Sequence, residues 1–160
     1  MVEPLRLLFV CLGNICRSPM AEGALHARLQ AAGLSNDILV DSAGIGAWHA
    51  GDPPDSRTIA TAARHDVDIS ALRARQLCAD DYTRFDWLLC ADRNNLRDVS
   101  AGARSQARAR SALLLPWAGL SDPADIPDPY TGGAADFERV WQLVDAAAAA
   151  IVARRVANAD

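Results

Sequence analysis

A cysteine in this chain is followed six positions later by an arginine and then by a serine, namely Cys11, Arg17 and Ser18. A loop of that length can wrap a tetrahedral oxyanion, because successive backbone N–H groups point inward and a following helix adds its positive end. Gly13 and Asn14 are the residue types that most readily adopt the left-handed backbone angles of such a loop. The planar guanidinium of Arg17 matches two phosphoryl oxygens. The spacing therefore predicts a phosphate-binding loop made of Leu12, Gly13, Asn14, Ile15, Cys16, Arg17 and Ser18.

The thiol of Cys11 is the predicted nucleophile of this loop. A thiol beside a guanidinium and a helix N-terminus is favoured as the thiolate near neutral pH, and the hydroxyl of Ser18 can donate a hydrogen bond to it. A thiolate held below a bound phosphoryl group is placed for in-line displacement. These residue types predict phosphate-ester hydrolysis through a cysteinyl-phosphate intermediate.

The segments on either side of the loop are expected to form a strand and a helix. Residues 5–10 are a short apolar run that predicts a buried strand. Ser18 as the N-cap and Pro19 as the first helical residue predict a helix, and Gly33 is its expected end. The loop then lies at the carboxyl end of a strand, where open parallel sheets bind their ligands.

Strands and helices are predicted to alternate along the rest of the chain. Short apolar runs predict further strands at residues 38–40, 85–90 and 111–115. A helix is predicted from about residue 55 to residue 65, and Asp92 is a candidate N-cap for another. We therefore predict an α/β fold, a three-layer α/β/α sandwich around a central four-stranded parallel sheet. Because no repeat or linker divides the chain, residues 1–160 are expected to form a single domain.

Composition weighs against several classes of protein. With 51% hydrophobic and 22% charged residues, the chain can bury a core and is not of the disordered type. Its net charge of −4 argues against a nucleic-acid or membrane-surface partner. No apolar run reaches the about 18 residues that span a membrane, and the first residues lack a signal-peptide pattern, so a cytoplasmic location is expected. All sixteen cationic side chains are arginines, which excludes lysine-dependent Schiff-base and Walker-type chemistry.

The loop also resembles a known family. The run from Val10 to Glu22 is similar to the signature of the low-molecular-weight protein tyrosine phosphatases. The resemblance continues through Asp41-Ser42-Ala43-Gly44, Trp48-His49, Ala74-Arg75-Gln76, Asn95-Leu96-Arg97, Asp128-Pro129-Tyr130 and Asp136-Phe137-Glu138. It implies a bacterial enzyme without cofactor or metal that acts on phosphotyrosine-containing proteins, as a monomer or weak dimer.

The residues alone leave the general acid undecided, because Asp122, Asp125 and Asp128 all lie in one late loop. The resemblance selects Asp128, in the family's Asp-Pro-Tyr motif. Its task is to protonate the departing phenolate and then to take a proton from the attacking water.

The resemblance also implies the walls of the substrate cleft. Trp48 and Tyr130 match the aromatic positions, and Leu12 and Ile15 match residues of the floor. An apolar slot with aromatic sides suits the ring of phosphotyrosine and disfavours the shorter phosphoserine. Relatives that act on phosphoarginine have threonine where this chain has Ile15, so isoleucine favours tyrosine phosphate.

Asn14, Ser18 and Ser42 match a hydrogen-bond network that supports the loop in the family. Relatives commonly have histidine where this chain has Leu72. The resemblance therefore predicts loop support from the three polar residues and leaves open how Leu72 affects the thiolate and the rigidity of the loop.

Four cysteines in a chain without a signal peptide suggest thiol chemistry or buried side chains. The resemblance makes Cys16 the family's second cysteine, which can pair with the oxidised nucleophile and protect it from over-oxidation. Cys78 and Cys90 are predicted to be structural core residues.

Two alternative functions remain open at this point. A thiol-dependent arsenate reductase shares the fold and the anion loop, and Cys78 and Cys90 keep its thiol relay available. A non-catalytic phosphoprotein-binding module would use the same loop without a proton donor. A metal-dependent phosphatase is disfavoured, because the three histidines, at positions 26, 49 and 65, lack the spacing of metal ligands.

Overall fold

The computed structural model describes residues 3–158 and contains four strands and six helices within that range. The strands are β1 (Leu5–Cys11), β2 (Ile38–Gly44), β3 (Trp87–Cys90) and β4 (Arg110–Leu113). The helices are α1 (Arg17–Ala32), α2 (Ser56–Arg64), α3 (Asp81–Arg84), α4 (Arg93–Gly102), α5 (Leu114–Trp117) and α6 (Ala134–Ala157).

The four strands form one parallel sheet in the order β2-β1-β3-β4. In the central strand, Cys11 is in register with Gly44 of β2 and Val10 with Cys90 of β3. The carboxyl ends of these strands therefore meet at one edge of the sheet, beside the loop that follows β1. The predicted four-stranded parallel sheet is confirmed.

Successive residues of β1 point to opposite faces of the sheet and into two separate cores. Leu7 belongs to a core that includes Met20 of α1 and Phe137 of α6. Leu8 belongs to the other core, with Val99 of α4. Helices cover both faces, which confirms the predicted three-layer sandwich.

Several helix ends follow the sequence signals. The carboxylate of Asp55 accepts a hydrogen bond from the backbone N–H of Arg57 and caps α2. Asp92 caps α4 in the same way by accepting from the N–H of Asn95. Gly33 ends α1 with φ 72°, in the left-handed region that favours glycine. The predicted helix over residues 55–65 and the cap at Asp92 are confirmed.

Other boundaries differ from the prediction. Helix α1 begins at Arg17 with Cys16 as its N-cap and no side-chain cap, because the hydroxyl of Ser18 bonds to the loop instead. Strand β3 begins at Trp87 rather than at residue 85. Strand β4 ends at Leu113, since the next residues turn into the short helix α5.

No helix within residues 3–158 is long and apolar enough to cross a membrane.

Candidate active site

The loop between β1 and α1 is compact because two features allow it to pack closely. Asn14 has φ 58°, a left-handed conformation that asparagine adopts more readily than most residues. Gly44, at the end of β2, lies directly against the loop, and a Cβ there would be only 3.0 Å from the carbonyl carbon of Gly13. The backbone of the next residues, Ile45 and Gly46, donates to the carbonyls of Cys11 and Leu12. The loop is thus fixed by the neighbouring strand.

The thiol of Cys11 lies at the base of this loop and is 3% exposed. Its Sγ is 3.0 Å from Oγ of Ser18. Because Oγ of Ser18 already accepts a hydrogen bond from Nδ2 of Asn14 at 2.8 Å, its own proton is free to point at the sulfur. The geometry suits a thiolate that is stabilised by a hydroxyl donor.

Asn14 connects the loop to the rest of the fold. Its Nδ2 also donates to Oγ of Ser42 at 2.9 Å, and its Oδ1 accepts from the backbone N–H of Arg75 at 3.0 Å. Oγ of Ser42 in turn donates to Oε1 of Glu22 at 2.6 Å. The structure therefore brings together the three predicted support residues, Asn14, Ser18 and Ser42, and adds Glu22 and Arg75.

Arg75 is held by two aspartates that the sequence analysis did not single out. Its guanidinium lies 3.0 Å from Oδ2 of Asp41 and 2.9 Å from Oδ1 of the buried Asp81. Burial opposes the ionisation of Asp81, but hydrogen bonds from Arg75 and from the N–H of Cys78 outweigh it and hold the pKa of that carboxyl below its usual value. The family-like runs Ala74-Arg75-Gln76 and Asp41-Ser42-Ala43-Gly44 contain Arg75 and Asp41 but do not show that the two pair, and no run contains Asp81.

The guanidinium of Arg17 is buried beside the thiol and is bound from two distant segments. Its Nη1 donates to Oδ2 of Asp92 at 2.7 Å and to the carbonyl of Ile126 at 2.9 Å. Its Nη2 lies 3.8 Å from Oδ2 of Asp128. Asp92 therefore has two roles, since one oxygen caps α4 and the other orients Arg17, and only the first was predicted.

The structure distinguishes among the aspartates of the late loop. Asp128 lines the same cleft as Cys11, and its side chain is 46% exposed. Its Oδ1 accepts a hydrogen bond from the backbone N–H of Tyr130. Asp125 pairs instead with Arg93 at 3.2 Å, and Asp122 is not among the residues that line the cleft.

The cleft combines a polar base with an apolar mouth. Cys11 and Arg17 lie among its lining residues, and the side chains of Leu12, Trp48 and Tyr130 are exposed around them. Trp48 is 70% exposed, so its side chain lies at the surface of the protein and not in the core. The structure also places the predicted Ile15 in the cleft, together with Gly13, Cys16, His49 and Asp128.

The model of the low molecular weight phosphotyrosine protein phosphatase family matches residues 6–159. Low molecular weight protein-tyrosine-phosphatase YfkJ of Bacillus subtilis is 41% identical over 138 residues, which cover 86% of this chain and 87% of that protein. The chain belongs to the low molecular weight protein-tyrosine-phosphatase family.

Solved structures of this family share the fold. The crystal structure of YfkJ from Bacillus subtilis matches with a TM-score of 0.87 at 35% identity and covers 99% of both chains. A protein tyrosine phosphatase from Entamoeba histolytica with Hepes in the active site matches with a TM-score of 0.88 at 28% identity, over 98% of this chain and 99% of that one. A Drosophila arginine phosphatase matches with a TM-score of 0.86 at 28% identity, over 94% of this chain and 97% of that one.

His49 is a residue of this phosphatase's cleft that the sequence analysis did not assign. Its ring packs beside Gly13, where a Cβ would be 3.2 Å from Cδ2 of the imidazole. Its Nδ1 lies 3.6 Å from Oδ2 of Asp52. The only sequence signal was its place in the family-like pair Trp48-His49.

The remaining cysteines of the phosphatase have different environments. Burial, with smaller effects from neighbouring carboxylates, raises the pKa of the Cys16 thiol to about 12, so it is a neutral thiol at physiological pH. Cys90 is fully buried in β3, as predicted. Cys78 is exposed, so its prediction as a core residue was wrong. It lies in the turn that precedes α3, where its backbone N–H donates to Asp81.

Proposed function

We propose that this chain hydrolyses phosphotyrosine and other aryl phosphates with Cys11 as nucleophile, Arg17 and the loop amides as the phosphate site, and Asp128 as general acid and base. The observation that carries the proposal is that one cleft is lined by a buried thiol, a buried guanidinium and a half-exposed carboxyl. The Entamoeba neighbour holds Hepes, which is a sulfonate, in its active site. A tetrahedral anion is therefore a fitting ligand for a loop of this fold.

The reaction has two steps in this proposal. The Cys11 thiolate forms a bond to phosphorus as the bond from phosphorus to the phenolic oxygen breaks, and Asp128 gives its proton to that oxygen. A water molecule then attacks the cysteinyl phosphate, Asp128 takes a proton from it, and inorganic phosphate leaves as the thiolate is restored. Arg17 and the loop N–H groups stabilise the charge on the equatorial oxygens in both steps.

The aromatic mouth supports tyrosine phosphate as the substrate. Trp48 and Tyr130 can flank a phenyl ring, whereas the side chain of phosphoserine is too short to contact them. The Drosophila neighbour is named an arginine phosphatase, so phosphoarginine is the substrate to compare. With Ile15 in the floor, we expect faster hydrolysis of a phosphotyrosine peptide than of a phosphoarginine peptide of the same sequence.

Asp128→Asn tests the general acid. We expect kcat/KM for phenyl phosphate, which reports formation of the cysteinyl phosphate and not its hydrolysis, to fall by about 10²- to 10⁴-fold, the usual contribution of general acid–base catalysis. The loss should be smaller for p-nitrophenyl phosphate, because p-nitrophenolate leaves without a proton.

Asp125→Asn is the matched control for this experiment, since Asp125 lies in the same loop but pairs with Arg93. It should keep nearly full activity on both substrates. An equal loss on both substrates for Asp128→Asn, or an equal loss in Asp125→Asn, would contradict the assignment.

The two alternative functions find less support in the site. A thiol relay of the arsenate reductase type needs further cysteines within reach of the nucleophile, but Cys90 is buried in the sheet, and neither Cys90 nor the exposed Cys78 is among the residues that line the cleft of Cys11. A module that only binds phosphoproteins has no use for a half-exposed carboxyl 3.8 Å from the buried guanidinium of Arg17.

We also propose that Cys16 protects the nucleophile from irreversible oxidation. Hydrogen peroxide converts the Cys11 thiolate to a sulfenic acid, and the sulfur of Cys16 then attacks it, forming the disulfide as its proton leaves with the hydroxyl as water. Cys16→Ser should therefore recover less activity with dithiothreitol after peroxide treatment than the native enzyme, and Cys78→Ser should recover fully. Equal recovery of Cys16→Ser and the native enzyme would remove this role.

Finally, we propose that residues 1–160 form one domain and that the protein is a monomer or weak dimer in the bacterial cytoplasm. Its partners in this proposal are phosphotyrosine-containing proteins and not nucleic acid. The reducing cytoplasm suits a catalytic thiolate. Sedimentation velocity of the active enzyme tests the oligomeric state, and a single species larger than a dimer would contradict it.

A further inference from the structure

A buried carboxyl group ends the chain of hydrogen bonds that starts at the nucleophile. From Cys11 the chain runs through Ser18, Asn14 and Ser42, and its last bond joins Oγ of Ser42 to Oε1 of Glu22 at 2.6 Å. Glu22 lies on α1 with only 6% of its surface exposed, outside the set of residues that line the cleft. It is therefore connected to the thiol without touching the substrate.

The donors and acceptors of this chain are all satisfied when Glu22 is ionised. Asn14 uses both protons of its amide, one to each serine, so each serine oxygen accepts one bond and must place its own proton elsewhere. Ser42 gives its proton to the carboxylate of Glu22, and Ser18 gives its proton to the sulfur of Cys11. A neutral Glu22 adds a buried proton that needs an acceptor and accepts more weakly from Ser42.

The charges around Glu22 leave it without a cation of its own. Asp41 on β2 repels it, and Arg75 attracts it weakly because its guanidinium is bonded to Asp41 and Asp81. On α1, His26 follows one turn later, and burial lowers its pKa, which favours its neutral form.

In the segment after α2, Arg75 is the cation that acts on the pKa of Glu22, whereas Arg73 is exposed and donates to the carbonyls of Ser70 and Leu72. Leu72 packs against the core as an apolar residue, and the acidic Asp66 and Asp68 line a hollow beside His26. Burial first, and Asp41 second, raise the pKa of Glu22 from 4.5 to about 7, against the opposing effects of Ser42 and Arg75.

We propose that Glu22 is a positioning residue for the nucleophile: its carboxylate holds the hydroxyl of Ser42, which holds the amide of Asn14, so that Ser18 donates to the thiolate of Cys11. Protonation of Glu22 weakens this support and couples the rate of hydrolysis to pH in the neutral range. The inference rests on the proposed phosphatase reaction.

The test is the ratio of kcat/KM of Glu22→Gln to that of the native enzyme on p-nitrophenyl phosphate, measured across pH. The ratio cancels the titration of the substrate, which is the same for both enzymes. Near pH 5.5 the native Glu22 is neutral, and we expect a ratio within about twofold of one. Near pH 8 it is ionised, and the ratio should fall by about fivefold, the effect of weakening about one buried hydrogen bond.

Thermal unfolding distinguishes a positioning role from a loss of stability, because a variant that loses activity through destabilisation also loses Tm relative to the native enzyme. Because the pKa of Glu22 is raised in the folded state, its contribution to stability is present below its unfolded pKa and is lost as the pH rises through about 7. The Tm of Glu22→Gln relative to the native enzyme should therefore rise from pH 5.5 to pH 8. The variant becomes relatively more stable over the range in which it becomes relatively less active.

Two further variants make the result decisive. Ser42→Ala removes the hydroxyl that links Asn14 to Glu22 but keeps Glu22 itself. The ratio of its kcat/KM to that of the native enzyme should therefore change with pH in the same way, even if Glu22→Gln does not fold. Glu138→Gln makes the same chemical change on α6, at a residue that takes no part in these hydrogen bonds. The ratio of its kcat/KM to that of the native enzyme should be near one at every pH. An activity ratio independent of pH for both Glu22→Gln and Ser42→Ala overturns the inference, whereas a native enzyme that hydrolyses no aryl phosphate overturns the proposed function itself.

Discussion

Cys11→Ser is expected to abolish hydrolysis of aryl phosphates while leaving the fold and the phosphate site intact. Serine is nearly isosteric with cysteine, so the buried position beside Ser18 accommodates it. Its hydroxyl is not ionised near neutral pH and nothing in the loop acts as a base for it, so no cysteinyl phosphate or equivalent ester forms. The loss of kcat should be on the order of 10⁵-fold, the scale for removal of a catalytic nucleophile. Steady-state hydrolysis of p-nitrophenyl phosphate measures it.

The control for this experiment is Cys78→Ser, which makes the same change at an exposed position. It should keep full activity. Inorganic phosphate should still raise the Tm of Cys11→Ser, because Arg17 and the loop amides remain. Residual activity of a few per cent in Cys11→Ser, or an equal loss in Cys78→Ser, would show that the nucleophile lies elsewhere.

Arg17→Lys is expected to lower kcat/KM by about 10³-fold, although the positive charge is kept. The guanidinium uses Nη1 for Asp92 and the carbonyl of Ile126, which leaves its other N–H groups to face the phosphate. A lysine ammonium is a single point charge and cannot serve both sides at once. Bound either to Asp92 or to the substrate, it orients the phosphoryl group poorly.

Arg93→Lys is the matched control, since Arg93 is an exposed arginine that pairs with Asp125. We expect its kcat/KM to stay within about twofold of the native value. Competitive inhibition by inorganic phosphate should weaken in Arg17→Lys and not in Arg93→Lys. If Arg17→Lys retained a tenth of the native activity, or if the two variants lost activity alike, the positive charge of Arg17 and not its planar guanidinium would explain phosphate binding.

The loop and its flanking elements could be predicted from the sequence because their signals are local. Residues 5–33 contain an apolar strand, a loop with Gly13 and Asn14 at its turn, and a helix ended by Gly33. Apolar strands that alternate with helices leave few arrangements other than a covered parallel sheet. The reasoning failed at the start of α1 and at Cys78, where short-range hydrogen bonds decide the local structure: Asn14 of the loop donates to the hydroxyl of Ser18, and the carboxylate of Asp81 accepts from the backbone N–H of Cys78.

The partners of the loop residues could not be predicted, because they are far apart in sequence. Arg17 meets Asp92 and the carbonyl of Ile126 across intervals of 75 and 109 residues, and Asn14 meets the N–H of Arg75 across 61. No periodicity reports such pairs. The spacing of the late-loop aspartates likewise did not separate Asp128 from Asp125, and only the family resemblance selected Asp128, which lines the cleft in the structure while Asp125 pairs with Arg93.

Sequence alone predicted the chemistry that we propose for this phosphatase, since a cysteine, a fixed spacing and an arginine in one short loop indicate an anion site with a nucleophile. The tertiary structure decided how that chemistry is supported. The first half of α1, from Arg17 to Leu25, is buried on all sides, so its pattern does not show which face meets which neighbour. Only packing against β2 places the carboxyl of Glu22 at Ser42, because burial and hydrogen bonding depend on the neighbours that folding brings and not on the order of residues.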